Sequence, residues 1–398
     1  MSKRSPRSRS WKRPLRSLLV ICLEVLRVET EHAIYAPRRT NDVILFAENL
    51  KVYFPLRRTI MDVIKGRSPP YVKAVDGISF DVKRGEVFAI AGESGCGKTT
   101  TGKAVMRLVP VTQGTIGYMP SKRIIEVLNK GVARCTSEGH VDLVTLPERL
   151  FKPFRAEIQM IWQDPYSSLN PRMSIYEILE EPLKVHGIKA TREERYEEVA
   201  KILEAVRLTP PEDFMDRYPH MLSGGQRQRV VIARALISRP SLVIADEPVS
   251  MLDVSVRVEI LQLMMELKKS FGLTYIFITH DLALARYIAD RLAVMYLGKL
   301  VELGDARRLI ESPHHPYTRA LVDAIPEPDP RRRLTTRDLP IKGEVASPTN
   351  PPHGCRFHPR CVVLDEHPEL ADLCRKQEPP LIEVGSDIYV ACWLYLKR

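Results

Sequence analysis

The sequence holds no long apolar run. Its best candidate, residues 18–28, reaches about half of the ~20 apolar residues that a membrane-crossing helix needs, and Glu24 and Arg27 interrupt it. No segment therefore reads as a membrane span. The chain also lacks a strongly basic body. Its net charge is +11, but Lys3, Arg4, Arg7, Arg9, Lys12, Arg13 and Arg16 fall in the first sixteen residues without an acid, which leaves only +4 on the rest. Such a balance admits nucleotides, nucleic acid or a lipid surface as partners without requiring a basic surface throughout. Cysteine is sparse, and no C-x-x-C pair occurs among the seven. Cys22, Cys96 and Cys135 are isolated, whereas Cys355, Cys361, Cys374 and Cys392 fall within 38 residues. In a cytosolic protein an odd count with such crowding suggests metal binding more than disulfides.

What is present points to an α/β protein. A chain of 398 residues, 44% of them apolar, is long enough for two or three domains. Residues 1–40 read as a basic extension without a core, expected to be disordered. The basic start and short apolar stretch also resemble a secretory signal, a reading weighed against that of a frayed amphipathic tail. From Ile44 onward short apolar runs alternate with helical stretches. The runs at 86–91, 241–245, 273–278 and 292–296 predict a buried, mostly parallel sheet. Between about 164 and 237 strand signals disappear. There Thr191-Arg192-Glu193-Glu194 reads as a capping box, followed by Tyr196, Val199, Ala200, Leu203 and Val206 at helical spacing. An α-helical subdomain inserted into a core of residues 41–300 is predicted. After Lys299 prolines multiply at 313, 316, 326, 328 and 330, which marks a small, loop-rich C-terminal domain over 301–398.

Three motifs carry chemistry. Gly92-Glu93-Ser94-Gly95-Cys96-Gly97-Lys98-Thr99 follows an apolar run and precedes a helix-compatible stretch that starts at Thr100. The glycines let backbone N–H groups curl around a phosphate at a helix start. Lys98 would bridge the β- and γ-phosphates, and Thr99 would ligate Mg²⁺. Next, Leu242-Val243-Ile244-Ala245-Asp246-Glu247 puts two carboxylates at the end of a buried strand, where ligands sit in such sheets. Asp246 would hold Mg²⁺, and Glu247 would polarise an attacking water as general base. Finally, Leu222-Ser223-Gly224-Gly225-Gln226-Arg227 opens a second anion-ready helix start. One nucleotide does not need two cradles, so the second suits a nucleotide held by another subunit.

In the order of the Lys98 loop, Gln163, Ser223-Gly224-Gly225-Gln226, Asp246-Glu247 and His280, the chain resembles the ABC ATPase family. The resemblance implies a head-to-tail dimer with two ATP molecules at its interface. It also implies that Gln163 senses the γ-phosphate, adjoins the metal and meets the membrane subunits. His280, in Ile278-Thr279-His280-Asp281, would steady the attacking water. One departure is Met251, in Ser250-Met251-Leu252-Asp253, where the family has a small residue. Tyr71 is the candidate aromatic for adenine stacking.

A narrower resemblance rests on Trp162-Gln163-Asp164-Pro165-Tyr166-Ser167-Ser168-Leu169-Asn170-Pro171, on Glu247-Pro248-Val249-Ser250 and on His315-Pro316-Tyr317-Thr318. These are similar to the second ATPase type of dipeptide/oligopeptide importers. The implied partners are two permease subunits, a paralogous ATPase or a second copy, and an extracellular solute-binding protein, with the chain peripheral on the cytoplasmic face of the membrane. In that family four C-terminal cysteines resemble an iron–sulfur site. Here a [4Fe–4S] cluster, Zn²⁺ and unliganded thiols stay open. Residues 112–155 are longer than in the family and have no assigned role. The rival class is a non-transport ABC ATPase acting on nucleic acid or ribosomes, supported by the basic start. Against it stand a tail with no aromatic beyond Trp11 and the absence of a second ATPase domain, so no nucleic acid is expected. An anionic-lipid anchor over residues 18–26 is compatible with transport.

Overall fold

The computed structural model describes residues 33–56, 69–128, 139–189, 191–325 and 340–396. The basic cluster, the 18–28 stretch, Cys22 and Cys135 lie outside the described residues. In chain order the strands are β1 (Val43–Pro55), β2 (Tyr71–Lys83), β3 (Val87–Ala91), β4 (Gln113–Tyr118), β5 (Val141–Asp142), β6 (Ile158–Ile161), β7 (Leu242–Asp246), β8 (Thr274–Thr279), β9 (Arg291–Tyr296), β10 (Lys299–Asp305), β11 (Ile382–Gly385) and β12 (Ile388–Val390). The main helices are α1 (Lys98–Val105), α2 (Ile175–Val185), α3 (Arg192–Ala205), α4 (Gly224–Leu236), α5 (Val254–Phe271) and α6 (Pro316–Asp323).

Every residue of β3, β7 and β8 is buried. Strands covered on both faces read as continuous apolar runs, and such strands belong to parallel sheets. They form the centre of an eight-stranded sheet of order β11-β12-β10-β9-β3-β8-β7-β6. Pairing is parallel from β9 through β3, β8 and β7 to β6. It turns antiparallel at β10, β12 and β11. The four predicted runs thus all sit in the parallel part. A second, antiparallel sheet of order β2-β1-β4-β5 packs beside it. Periodicity did not announce this sheet. Its β4 and β5 come from the stretch of 112–155 that had no assigned role.

Helices α2, α3 and α4 pack around Leu179, Leu183, Val199, Ile202, Leu203 and Val230, all fully buried and in one cluster with residues of β3, β7 and β8. Thr191 and Glu194 cap α3 as predicted: Glu194 N donates to Thr191 Oγ1 at 3.2 Å and Thr191 N donates to the Glu194 carboxylate at 3.0 Å. Among the described residues no helix is long and apolar enough to cross a membrane.

Arg291 in β9 ties the two sheets. Its Nη1 donates to Asp81 Oδ2 in β2 at 3.1 Å and to Glu86 Oε1 at 3.2 Å. Asp81 is fully buried. Burial opposes the Arg291 charge, but Asp81 and Glu86 outweigh it and the pKa rises. Tyr35, from the stretch expected to be an extension, also donates to Asp81. Its N–H donates to Leu381 O at 2.8 Å, and its ring meets Tyr389 edge-on at 4.8 Å. Removing Arg291 leaves two carboxylates in a low-dielectric site without their cation. Arg291→Met should cost about 3–5 kcal/mol of stability, read as a lowered midpoint in denaturant unfolding. An unchanged midpoint would remove the tie from its role.

Candidate nucleotide site

Strand β3 delivers the chain into the glycine-rich loop, and two of its glycines are demanded by close approach. Gly92 has φ 151° and a Cβ there would lie 2.1 Å from Met295 O. Gly97 has φ 110° and a Cβ there would lie 2.1 Å from Ala74 O. Helix α1 then starts at Lys98, so free N–H groups and the positive end of the helix dipole face the loop. The Lys98 side chain folds back over the loop. Its ammonium donates to Gly92 O at 2.7 Å and to Glu93 O at 2.9 Å.

The loop forms the floor of a cavity of about 590 Å³, together with Gly95, Thr99 and Thr100. Gln163, Glu247 and His280 line it from the ends of three other strands. Val72 and Ala74 of β2, Leu321 of α6 and Pro348 complete it. Cys96 belongs to the loop but is 3% exposed within the core, and burial raises its thiol pKa.

Carboxylates gather at the carboxyl end of the sheet. Asp246 closes β7 and is 3% exposed. Burial raises its pKa and Glu247 adds to the rise, while the hydrogen bond from Thr99 opposes it. Thr99 Oγ1 donates to Asp246 Oδ1 at 2.9 Å. A hydroxyl and one carboxylate beside a phosphate loop are a hard oxygen donor set. Mg²⁺ takes one or two carboxylates plus substrate phosphates, so Thr99 and Asp246 fit that ion.

Glu247 has φ 46°, an uncommon conformation for a residue with a side chain and a mark of a constrained site. Its N–H donates to Ile278 O at 2.9 Å, which pins it to the end of β8. Its carboxylate accepts from Gln163 Nε2 at 3.1 Å. The other oxygen lies 3.0 Å from His280 Nδ1. Strands β6, β7 and β8 thus bring Gln163, Glu247 and His280 into one hydrogen-bonded group.

The segment Ser223-Gly224-Gly225-Gln226 does not line this cavity. It caps α4: Gln226 N donates to Ser223 Oγ at 3.3 Å and Ser223 N donates to Gln226 Oε1 at 3.0 Å. Ser223 is exposed. Tyr71 is 42% exposed at the start of β2, next to Val72, which lines the cavity while Tyr71 does not. Met251 is 58% exposed. Sequence reasoning missed Val72, Ala74, Leu321 and Pro348, and no motif would have found them. The family-like segment at 315–318 was the only pointer to this region.

The cysteine expectation is corrected. Among the described residues no group of three or more His, Cys, Asp or Glu side chains is placed to hold a metal, and Cys355, Cys361, Cys374 and Cys392 are free. Burial pushes the Cys374 thiol up to about 11 and Cys392 up to about 12, and raises Cys355 and Cys361 as well. Metal ligation needs thiolates. Among the described residues nothing in the placement of these thiols supports the expected iron–sulfur cluster or zinc.

Comparison with known proteins matches an ABC transporter profile to residues 75–250. A dimeric ATP-binding cassette solved in a post-hydrolysis state with ADP and phosphate aligns with a TM-score of 0.53 and 25% identity, over 66% of this chain and 99% of that one. CbiO1 of Clostridium perfringens aligns with a TM-score of 0.53 and 26% identity, over 68% and 92%. The fold is that of an ABC transporter ATPase, and the chain belongs to that family. Residues 301–367 match the C-terminal region of oligopeptide/dipeptide transporters. Over 89% of this chain and 98% of the relative, it is 44% identical to the oligopeptide transport ATP-binding protein AppF of Bacillus subtilis. With the dipeptide transport ATP-binding protein DppF of Haemophilus influenzae the figures are 41%, 89% and 98%. It is thus an ATPase of the oligopeptide/dipeptide branch.

Because the loop can close only with glycine at its tight points, Gly97→Ala should open the phosphate cradle. The expected result is lost MgATP binding and a stability cost on the order of 1–3 kcal/mol, read by equilibrium binding and thermal unfolding. Retained affinity would mean that Ala74 O does not confine the loop.

Proposed function

We propose that the chain is the ATP-hydrolysing motor of a peptide importer, bound to the cytoplasmic face of the membrane through two permease subunits. The observation that carries this is the split between two half-sites. Lys98, Thr99, Gln163, Glu247 and His280 line one cavity, with Asp246 hydrogen-bonded to Thr99, while Ser223-Gly224-Gly225-Gln226 stands off it with Ser223 exposed. A second ATPase, a paralogue or another copy, would bring its own Ser-Gly-Gly-Gln segment to the γ-phosphate. The names of AppF and DppF support peptides as the solute class. An extracellular binding protein would deliver that solute.

In this reading Lys98 turns from the loop carbonyls to the β- and γ-phosphates, and loop N–H groups share the charge. Thr99 and Asp246 would hold Mg²⁺, which would supply charge neutralisation. Gln163 and His280 orient a water beside the γ-phosphorus. Glu247 accepts a proton from that water as its oxygen bonds to phosphorus. The bond from phosphorus to the β–γ bridging oxygen breaks, and ADP and phosphate leave. Beside Gln163 lies a groove of about 340 Å³ lined by Met106, Leu108, Trp162, Leu169, Val185 and other residues. Its apolar floor suits a permease segment, whose movement would reach Gln163 through Trp162. The reading as a nucleic-acid or ribosome ATPase rested on the basic start, which lies outside the described residues, and the curated relatives favour transport.

Glu247→Gln keeps the shape and hydrogen-bond capacity of the side chain but not its basicity. It should retain MgATP binding, lower turnover by about 100-fold or more, and accumulate a closed dimer in size-exclusion chromatography. Lys98→Ala should instead weaken nucleotide binding itself. Hydrolysis retained by Glu247→Gln would remove Glu247 as the base. Co-purification from detergent-solubilised membranes should recover two multi-span permeases. Recovery only with ribosomes or nucleic acid would overturn the transport role.

A further inference from the structure

Among the described residues the C-terminal region holds the phosphate loop at two points on Glu93. The Glu93 N–H donates to the Tyr317 hydroxyl at 2.8 Å. The Glu93 carboxylate accepts from Arg360 Nη1, at 2.9 Å on one oxygen and 3.2 Å on the other. A third contact, Lys98 Nζ on Glu93 O, comes from within the loop. The Arg360 side chain is 9% exposed and that of Glu93 28%. So shielded a pair is more consequential than a surface ion pair. Burial works against the Arg360 charge, and Glu93 and Tyr296 together outweigh it, so the pKa rises. Tyr317 is fixed in turn. Its ring lies 4.7 Å from Tyr296 and 5.4 Å from Phe357, in a fully buried aromatic cluster.

A second observation concerns the cavity wall. Leu321 and Pro348 line it beside Val72 and Ala74. These four give an apolar surface to a cavity whose other walls are charged or polar, and a nucleoside base is the part of ATP that seeks such a surface.

We infer that the C-terminal segment is part of the nucleotide site: Arg360 and Tyr317 are positioning residues that fix the phosphate loop through Glu93, and Leu321 and Pro348 face the nucleoside. This rests on the MgATP reading above. Without Arg360 the Glu93 carboxylate stands unbalanced beside a triphosphate. The loss should therefore appear in nucleotide affinity and should be repaired by removing the carboxylate.

The test is equilibrium MgATP binding to the full chain in a Glu247→Gln background, which suppresses turnover, with thermal melting measured alongside. Arg360→Ala should raise Kd about ten-fold, the size of one lost charge-assisted contact. Adding Glu93→Gln should recover most of that, which a variant that is merely misfolded could not do. Pro348→Asp, on a half-buried loop position, should also raise Kd with melting unchanged, and it carries the test if Arg360→Ala does not fold. The inference is overturned if Arg360→Ala or Pro348→Asp binds within about two-fold of the parent, or if Glu93→Gln fails to restore affinity to a folded Arg360→Ala. If the parent does not bind MgATP, or Lys98→Ala binds as well as the parent, the fault lies instead in the nucleotide reading.

Discussion

The structure depends on one constraint: the end of β3 must be held while its backbone passes against two carbonyls. Strand β3 is buried along its whole length and paired on both sides, to β8 and β9. Beyond it the loop threads between Met295 O and Ala74 O, with no room for a Cβ at Gly92 or Gly97. The turn after β9 locks this passage. Gly298 N donates to Cys96 O at 2.8 Å, and Asp76 N of β2 donates to Gly298 O at 2.9 Å. The second sheet is therefore a structural partner of the phosphate loop. It supplies Ala74 as one jaw of the close passage, and Val72 and Ala74 as cavity wall.

Electrostatics follow from that geometry. Parallel strands end on one edge, so Asp246, Glu247 and His280 meet there with the Lys98 loop. Adjacent carboxylates repel, which is why Glu247 adds to the upward shift at Asp246, while Lys103 and Lys98 oppose it. Such a group is balanced best when a divalent cation and a polyphosphate share it. The cost of burying Asp246 is thus tied to its ligand chemistry, and hydrophobic packing alone would not place a carboxylate there.

What was legible in the sequence was local. The loop, the acidic strand end and the Thr191 capping box are each defined by neighbours within a few residues, and backbone physics fixes them wherever they occur. Long-range pairing was not legible. Strands β4 and β5 join a sheet started some seventy residues earlier, in a stretch whose strand signals are short and interrupted by glycine. Tyr71 failed to reach the cavity for a related reason: in a strand, neighbours face opposite sides, and the cavity takes Val72 and Ala74. The cysteine reading went wrong because spacing along the chain does not fix placement in space. Four thiols in 38 residues suggested a metal, yet among the described residues they are not placed as a group that could hold one.

The C-terminal region shows how a small segment becomes inseparable from a core. Its β12 pairs with β10, and β11 with β12, so it continues the central sheet. Arg356 adds a buried link to Asp76 and to Leu297 O, at the same turn that locks the phosphate loop. Glu93 is therefore anchored from outside the loop by groups that a nucleotide need not displace. In the proposed reading Lys98 leaves the Glu93 carbonyl for a phosphate, and Tyr317 and Arg360 would still hold the Glu93 N–H and carboxylate. The loop backbone can then stay in place while one side chain moves. A cradle preorganised in this way spends little ordering on each binding event.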